Sequence, residues 1–145
     1  LKAGQAIDRV GVMLSLNFPA GPELEKLSEK SNAVFKIKPS MKNTDCSLSG
    51  VENKCKKMLS ENYEKSDIAL FCIDSVIAAL DGMYKALMPK YGALPVVFSG
   101  GVTSNKRIKN YFHDKYNAIF AEPAFSADNA AGTAVLSSIM YDRRK

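Results

Sequence analysis

A chain of 145 residues, 46% of them hydrophobic, can bury one modest core, as a single domain or as one lobe of something larger. No apolar run reaches the roughly eighteen residues that a membrane helix needs, which excludes a helical span. The formal net charge of +5 permits an RNA or other polyanionic partner, and it fits a solvated lysine-rich surface equally well. Cys46, Cys55 and Cys72 share no metal-ligand spacing, and an odd number suits a reducing compartment such as the cytoplasm better than a disulfide framework. The chain opens on Leu1, in what reads as the middle of a helix with no leader-like layout, so a piece of a longer protein is expected.

Residues 2–16 predict an amphipathic helix that buries Ala3, Ala6, Ile7, Val10, Met13 and Leu14. The run from Asn17 to Pro22 ends it, and Pro22 then suits the first turn of a second helix, Glu23 to about Glu29, with Leu24 and Leu27 inward. Asp8 on the first helix reads as a solvent-facing charge. Val34 to Lys38 alternates apolar and basic residues and predicts a strand closed by Pro39, with Lys36 and Lys38 on its wet face. A helix follows from Ser49-Gly50 through Val51, Cys55, Met58 and Leu59, with Ser47 and Ser49 as capping candidates. The longest helical pattern runs from Ser66, a candidate N-cap, to about Met88, with Pro89 as its stop. Its inward positions include Ile68, Phe71, Cys72, Val76, Leu80, Met83 and Leu87.

Val96-Val97-Phe98 predicts a buried strand that stops at Ser99-Gly100-Gly101. A helix is expected from about Thr103, with Ile108, Tyr111 and Phe112 on one face and Lys106, Arg107, Lys109 and Asn110 on the other. A double-glycine turn between strand and helix is either a tight connection or a place where backbone approaches a ligand near a helix N-terminus. Ala118 to Ala121 predicts another strand, broken by Glu122-Pro123, and a small-residue helix is expected from about Ala130 to Tyr141. Ser126 or Asp128 can serve as its N-cap. The order of these elements, helices interleaved with single strands, fits an α/β layer fold.

Four segments carry a resemblance. GQAIDRVGVMLSLNFPAGPELEKL, the DCSLSGV block from Asp45, SGGVTSN from Ser99 and PAFSADNAAGTA from Pro123 together resemble the tRNA threonylcarbamoyladenosine synthase family, long known as O-sialoglycoprotein endopeptidases or glycoproteases. The likeness covers essentially residues 1–145. It implies a single C-terminal lobe, ribonuclease-H-like, of the sugar kinase–Hsp70–actin (actin-like ATPase) superfamily, with the N-terminal lobe of the same protein absent from this chain. Carried over residue by residue, it implies that Asp8, Gly21, Gly100 and Gly101 lie at a nucleotide, either ATP or threonylcarbamoyl adenylate. Asn105 would hydrogen-bond the substrate, and Asp128 would ligate a divalent metal, iron or zinc.

The resemblance implies a metal-dependent transferase that moves a threonylcarbamoyl group from its adenylate to adenine 37 of tRNA, in the cytoplasm, with accessory subunits and possible oligomerisation. Two departures stand beside it. The H-x-x-x-H metal pair of the family's other lobe is missing, and one carboxylate is a poor metal site, so this piece alone is expected to be inactive. The stretch between Asn105 and Asp128 is also shorter than in bacterial members. Two other functions were weighed. A glycoprotein metalloendopeptidase finds no H-E-x-x-H helix here and no visible general base. A non-catalytic paralogue would keep nucleotide binding and act as a partner scaffold.

Overall fold

The computed structural model describes residues 1–122 and residue 139. Helix α1 (Ala3–Met13) buries Ala6, Ile7, Val10 and Gly11, with Leu14 just beyond, which is the spacing of one helical face. Helix α2 (Gly21–Ser28) begins two residues earlier than expected, carries Pro22 in its first turn and seats Leu24 fully in the core.

The strand predicted at Val34–Lys38 needs correction. Those residues keep the expected alternation, Phe35 and Ile37 inward and Lys36 and Lys38 outward, but pair with no other strand among the described residues. The strand here is β1 (Ser40–Lys42), antiparallel to β2 (Asp45–Ser47) around a turn at Asn43, whose φ is +56°. Ser40 faces Ser47 in the register, so residues before Ser40 would face a segment already winding into helix α3 (Ser49–Ser60). Leu48 takes the N-cap position of α3 with no side-chain cap, so neither Ser47 nor Ser49 plays the capping role expected of it.

Helix α4 (Lys65–Tyr91) is the spine: α1, α2, α3, the β1–β2 hairpin and the later helix α5 (Lys106–Tyr116) pack on it. It starts after Glu64, not at a Ser66 cap, and passes through Pro89 before ending at Gly92. Pro89 has no N–H to give the carbonyl one turn back, so the helix forgoes one hydrogen bond in its last turn, and Gly92, at φ +74°, lets the chain leave in a conformation that favours glycine. Ile68 to Ala79 are nearly continuous core, whereas Leu80 and Met83 are half-buried and Leu87 is exposed, because the helix runs on beyond the packed region.

The last unit is β–α–β: β3 (Val97–Phe98), α5 (Lys106–Tyr116) and β4 (Ile119–Phe120), with β3 and β4 parallel. Phe98 links it to the core, 4.8 Å from Phe112 and 5.2 Å from Phe120 between ring centres. The helix expected from Thr103 starts later. Gly101–Ser104 form a 3-10 turn, and Asn105, extended at φ −59° and ψ 126°, caps α5 by accepting a hydrogen bond from the Ile108 amide at 3.1 Å. The mixed helix and strand content fits the α/β expectation, although each sheet among the described residues has two strands.

Candidate functional site

Three elements bring expected site residues together. The turn between α1 and α2 is held from both sides: Asp8 Oδ1 accepts the Ala20 amide at 3.0 Å, and Glu23 accepts the Asn17 backbone and side-chain amides at 3.1 and 3.0 Å. Those two bonds keep the Glu23 carboxyl below its usual range. Gly11 lets α1 approach this turn, since a Cβ there would fall 2.1 Å from that of Ala20. The turn thereby fixes Gly21 at the start of α2.

One helical turn further on, Glu25 Oε1 accepts the Lys106 backbone amide at 2.7 Å and ties α2 to the start of α5. The 3-10 turn packs back on α1, with Val102 beside Gly4. Gly100 stands at φ +111°, ψ 156°, a conformation open essentially to glycine.

These contacts frame a cavity of about 110 Å³ that Gly21, Gly101 and Asn105 share, over an apolar floor of Ile7, Leu24 and Ile73. Among the described residues, apart from each glycine's own chain neighbours, no atom lies within 4 Å of where a Cβ of Gly21 or Gly101 would be, so both glycines face open space there. Asp8 stands behind this wall and holds its Ala20 amide, and Gly100 shapes the turn that carries Gly101. Asn105 spends its Oδ1 on the cap, which leaves the Nδ2 group as its donor. Asp128 and Ser126 lie outside the described residues.

Two residues of the cavity, Glu25 and Ser104, were not picked out from the sequence. Glu25 was legible, because a residue four positions after Gly21 in a helix lies on the same face. The cavity is small beside the roughly 300–1,000 Å³ of a complete small-molecule pocket. Its lining offers backbone approach at two glycines, an amide donor and a carboxylate.

A larger cleft of about 1,020 Å³ lies on the other side of Glu25 and includes none of Asp8, Gly21, Gly100, Gly101 or Asn105. Asp81 lies at its edge with a side chain 10% exposed, bonded by Lys85 at 2.6 Å, Lys115 at 2.9 Å and the Tyr116 hydroxyl at 2.5 Å. Burial pushes its carboxyl up, but the hydrogen bonds from Lys85, Tyr116 and Lys115 outweigh that and hold it at about 2. Among the described residues no group of three or more His, Cys, Asp or Glu stands together as a metal site. His113 is exposed and pairs with its neighbour Asp114 at 3.4 Å. No described helix is long and apolar enough to cross a membrane.

Comparison with known proteins gives a consistent picture. The TsaD family model, described as tRNA N6-adenosine threonylcarbamoyltransferase, matches residues 2–135. A protein of that name from Kosmotoga olearia is 29% identical over 153 aligned positions, covering 99% of this chain and 46% of the relative. One from Buchnera aphidicola is 33% identical, covering 96% of this chain and 45% of the relative. One from Thermococcus sibiricus is 31% identical over 107 positions, 73% of this chain and 33% of the relative. The chain thus spans about half the length of the curated relatives it matches.

Proposed function

As this chain belongs to the tRNA N6-adenosine threonylcarbamoyltransferase family, we propose that it is the C-terminal, ribonuclease-H-like lobe of an enzyme that moves a threonylcarbamoyl group from its adenylate to adenine 37 of tRNA. The observation that carries this reading is the convergence of Gly21, Gly101 and Asn105 on one cavity from two distant parts of the sequence. The wall binds the nucleotide part of the donor. Gly21 and Gly101 let backbone lie against a ribose or base, and the Asn105 Nδ2 group donates to an acceptor on it. The second oxygen of Glu25 accepts a ribose hydroxyl while the first keeps α2 and α5 in register. Such a wall acts by positioning, which lowers the barrier by fixing the donor for attack by the adenine amine.

The small volume of the wall calls for a second surface, supplied by the N-terminal lobe. The described residues do not form a metal site on their own. Asp128 is proposed as one ligand of an iron or zinc ion whose other donors lie on that second lobe, and the ion would serve as a Lewis acid toward the carbamoyl group. A cytoplasmic location and accessory subunits belong to the same proposal.

The test is ATP and adenylate binding by the two-lobed protein, with Gly21→Val and Gly101→Val compared against wild type. Both positions face open space, so the protein accommodates the side chain and the ligand does not. At least a tenfold loss of affinity, about 1.4 kcal/mol, with unchanged thermal stability is expected. Unchanged affinity in both variants refutes the placement of the nucleotide.

A further inference from the structure

Residues 33–42 alternate without a break. Ala33, Phe35, Ile37, Pro39 and Met41 are half-buried, while Val34, Lys36, Lys38, Ser40 and Lys42 are exposed. This is the signature of a strand with one buried face, yet Ser40–Lys42 alone is paired. From Val34 to Lys38 no backbone N–H or C=O has a protein partner among the described residues. The inward row is anchored on α4. Phe35 meets Phe71 edge-on at 5.4 Å, and Met41 and Pro39 close over Gly82, where a Cβ would lie 2.9 and 3.2 Å from them. The run is therefore held in strand geometry from one face with its main chain open.

The larger cleft borders this run. Its floor is apolar at Phe35, Ile37, Ile77 and Ala78. Of its four acids, Asp74 is met by a two-point contact from Arg107 at 2.6 and 3.1 Å, Asp81 by Lys85 at 2.6 Å and Glu25 by the Lys106 backbone amide, while Glu29 has no ion pair among the described residues. The outward row carries uncommitted charge at Lys36 and Lys38, next to Val34, which is 91% exposed.

We propose that residues 33–39 form a docking strand for an extended segment of a partner protein, which adds as a further strand along the cleft. The open main chain calls for an occupant that can pair with it, as an extended peptide does and a compact ligand does not. The strict alternation sets the period of that occupant, with apolar side chains directed into the cleft. Lys36 and Lys38 set its charge, since opposite charges facing each other across a strand pair are favourable and like charges are not. The partner segment is thus acidic and apolar in alternation. Its length is near the usual strand length of about 5–6 residues.

The probe is a dye-labelled, end-capped peptide of about six residues that alternates glutamate with valine, titrated into the protein by fluorescence anisotropy, with hydrogen exchange read in parallel. Saturable binding is expected, with protection of the amides from Val34 to Lys38. The exposed-site double variant Lys36→Glu with Lys38→Glu should bind about tenfold more weakly, and a peptide carrying lysine in place of glutamate should restore the affinity. Three results overturn the proposal: no saturable binding, equal binding by a peptide with N-methylated backbone amides, or protection of the same amides that rises with protein concentration in the absence of peptide. The second would leave charge attraction alone, and the third would make the partner a second copy of this chain.

Discussion

Substituting Gly11 with alanine tests whether the turn that presents Gly21 is held as described. A Cβ at Gly11 would lie 2.1 Å from the Cβ of Ala20 and 3.5 Å from its Cα. Two methyl carbons settle at roughly 3.5–4.0 Å, so α1 and the turn must part by about 1.5 Å. Neither atom is the end of a flexible side chain, and relief has to come from the backbone. Overpacking of this kind costs about 1–3 kcal/mol, against which alanine gains about 1 kcal/mol over glycine inside a helix. With both partners unable to swing aside, the overpacking falls in the upper part of that range, about 2–3 kcal/mol, and the net loss is about 1–2 kcal/mol, or a fall of roughly 3–8 °C in Tm for a chain of this size.

The same displacement stretches the Asp8–Ala20 bond and moves Gly21, so nucleotide affinity should fall with stability. Thermal unfolding followed by circular dichroism reads the first effect. Gly4→Ala is the control, because its nearest neighbour is Val102 Cγ2 at an ordinary 3.7 Å, and it should leave stability unchanged or raise it. Ala20→Gly removes the opposing methyl and should restore most of the loss when combined with Gly11→Ala. If Gly11→Ala melts with wild type, or if Ala20→Gly fails to rescue it, the close approach is not what holds the turn.

Two further predictions concern groups with divided duties. Asp81 is held at about 2 against a usual 3.8, so its contribution of about 2 kcal/mol is fully present above pH 4 and is lost as pH falls toward 2. Denaturant unfolding across that window should show an acid limb that flattens in Asp81→Asn. Tyr116, raised to about 12 by burial and by its bond to Asp81, should titrate nearer its usual value in the same variant when followed by ultraviolet absorbance. An unchanged acid limb would remove Asp81 as its source. Asn105→Ala should cost about 1 kcal/mol through loss of the α5 cap, whereas Asn105→Asp keeps the acceptor to Ile108 and loses the Nδ2 donor. Melting temperature and nucleotide affinity measured together should separate the two roles. Equal affinity in Asn105→Asp and wild type would show that the amide nitrogen does not touch the ligand.

What could be read beforehand was set by how local each signal is. The buried faces of α1, α3 and the first half of α4 follow from apolar residues three and four apart, and the helices bury those faces. The same periodicity overreached at Leu80, Met83 and Leu87, because it records one face of a helix and not where the partner for that face ends. Val34–Lys38 shows the limit for strands. Its alternation was legible and its side chains obey it, but pairing depends on Ser47 to Ser49, where the chain turns into a helix. At the site, Gly21, Gly101 and Asn105 were found by resemblance. Their meeting depends on Glu25 and Asp8 binding backbone amides across the fold, which no spacing announces.

Those bonds also bear on how the proposed nucleotide wall would be held. Asp8, Glu25 and Asn105 each commit one oxygen to a backbone amide, at Ala20, Lys106 and Ile108, and each keeps a second polar atom. The committed atom fixes the rotamer and thereby aims the other one, so the order required for binding is already present before a ligand arrives. A substitution that removes the whole side chain therefore confounds stability with binding at all three positions. Replacements that keep the committed oxygen, Glu25→Gln and Asn105→Asp, change the remaining atom together with the charge of the group, so melting temperature read beside affinity separates what each side chain gives the fold from what it gives the ligand.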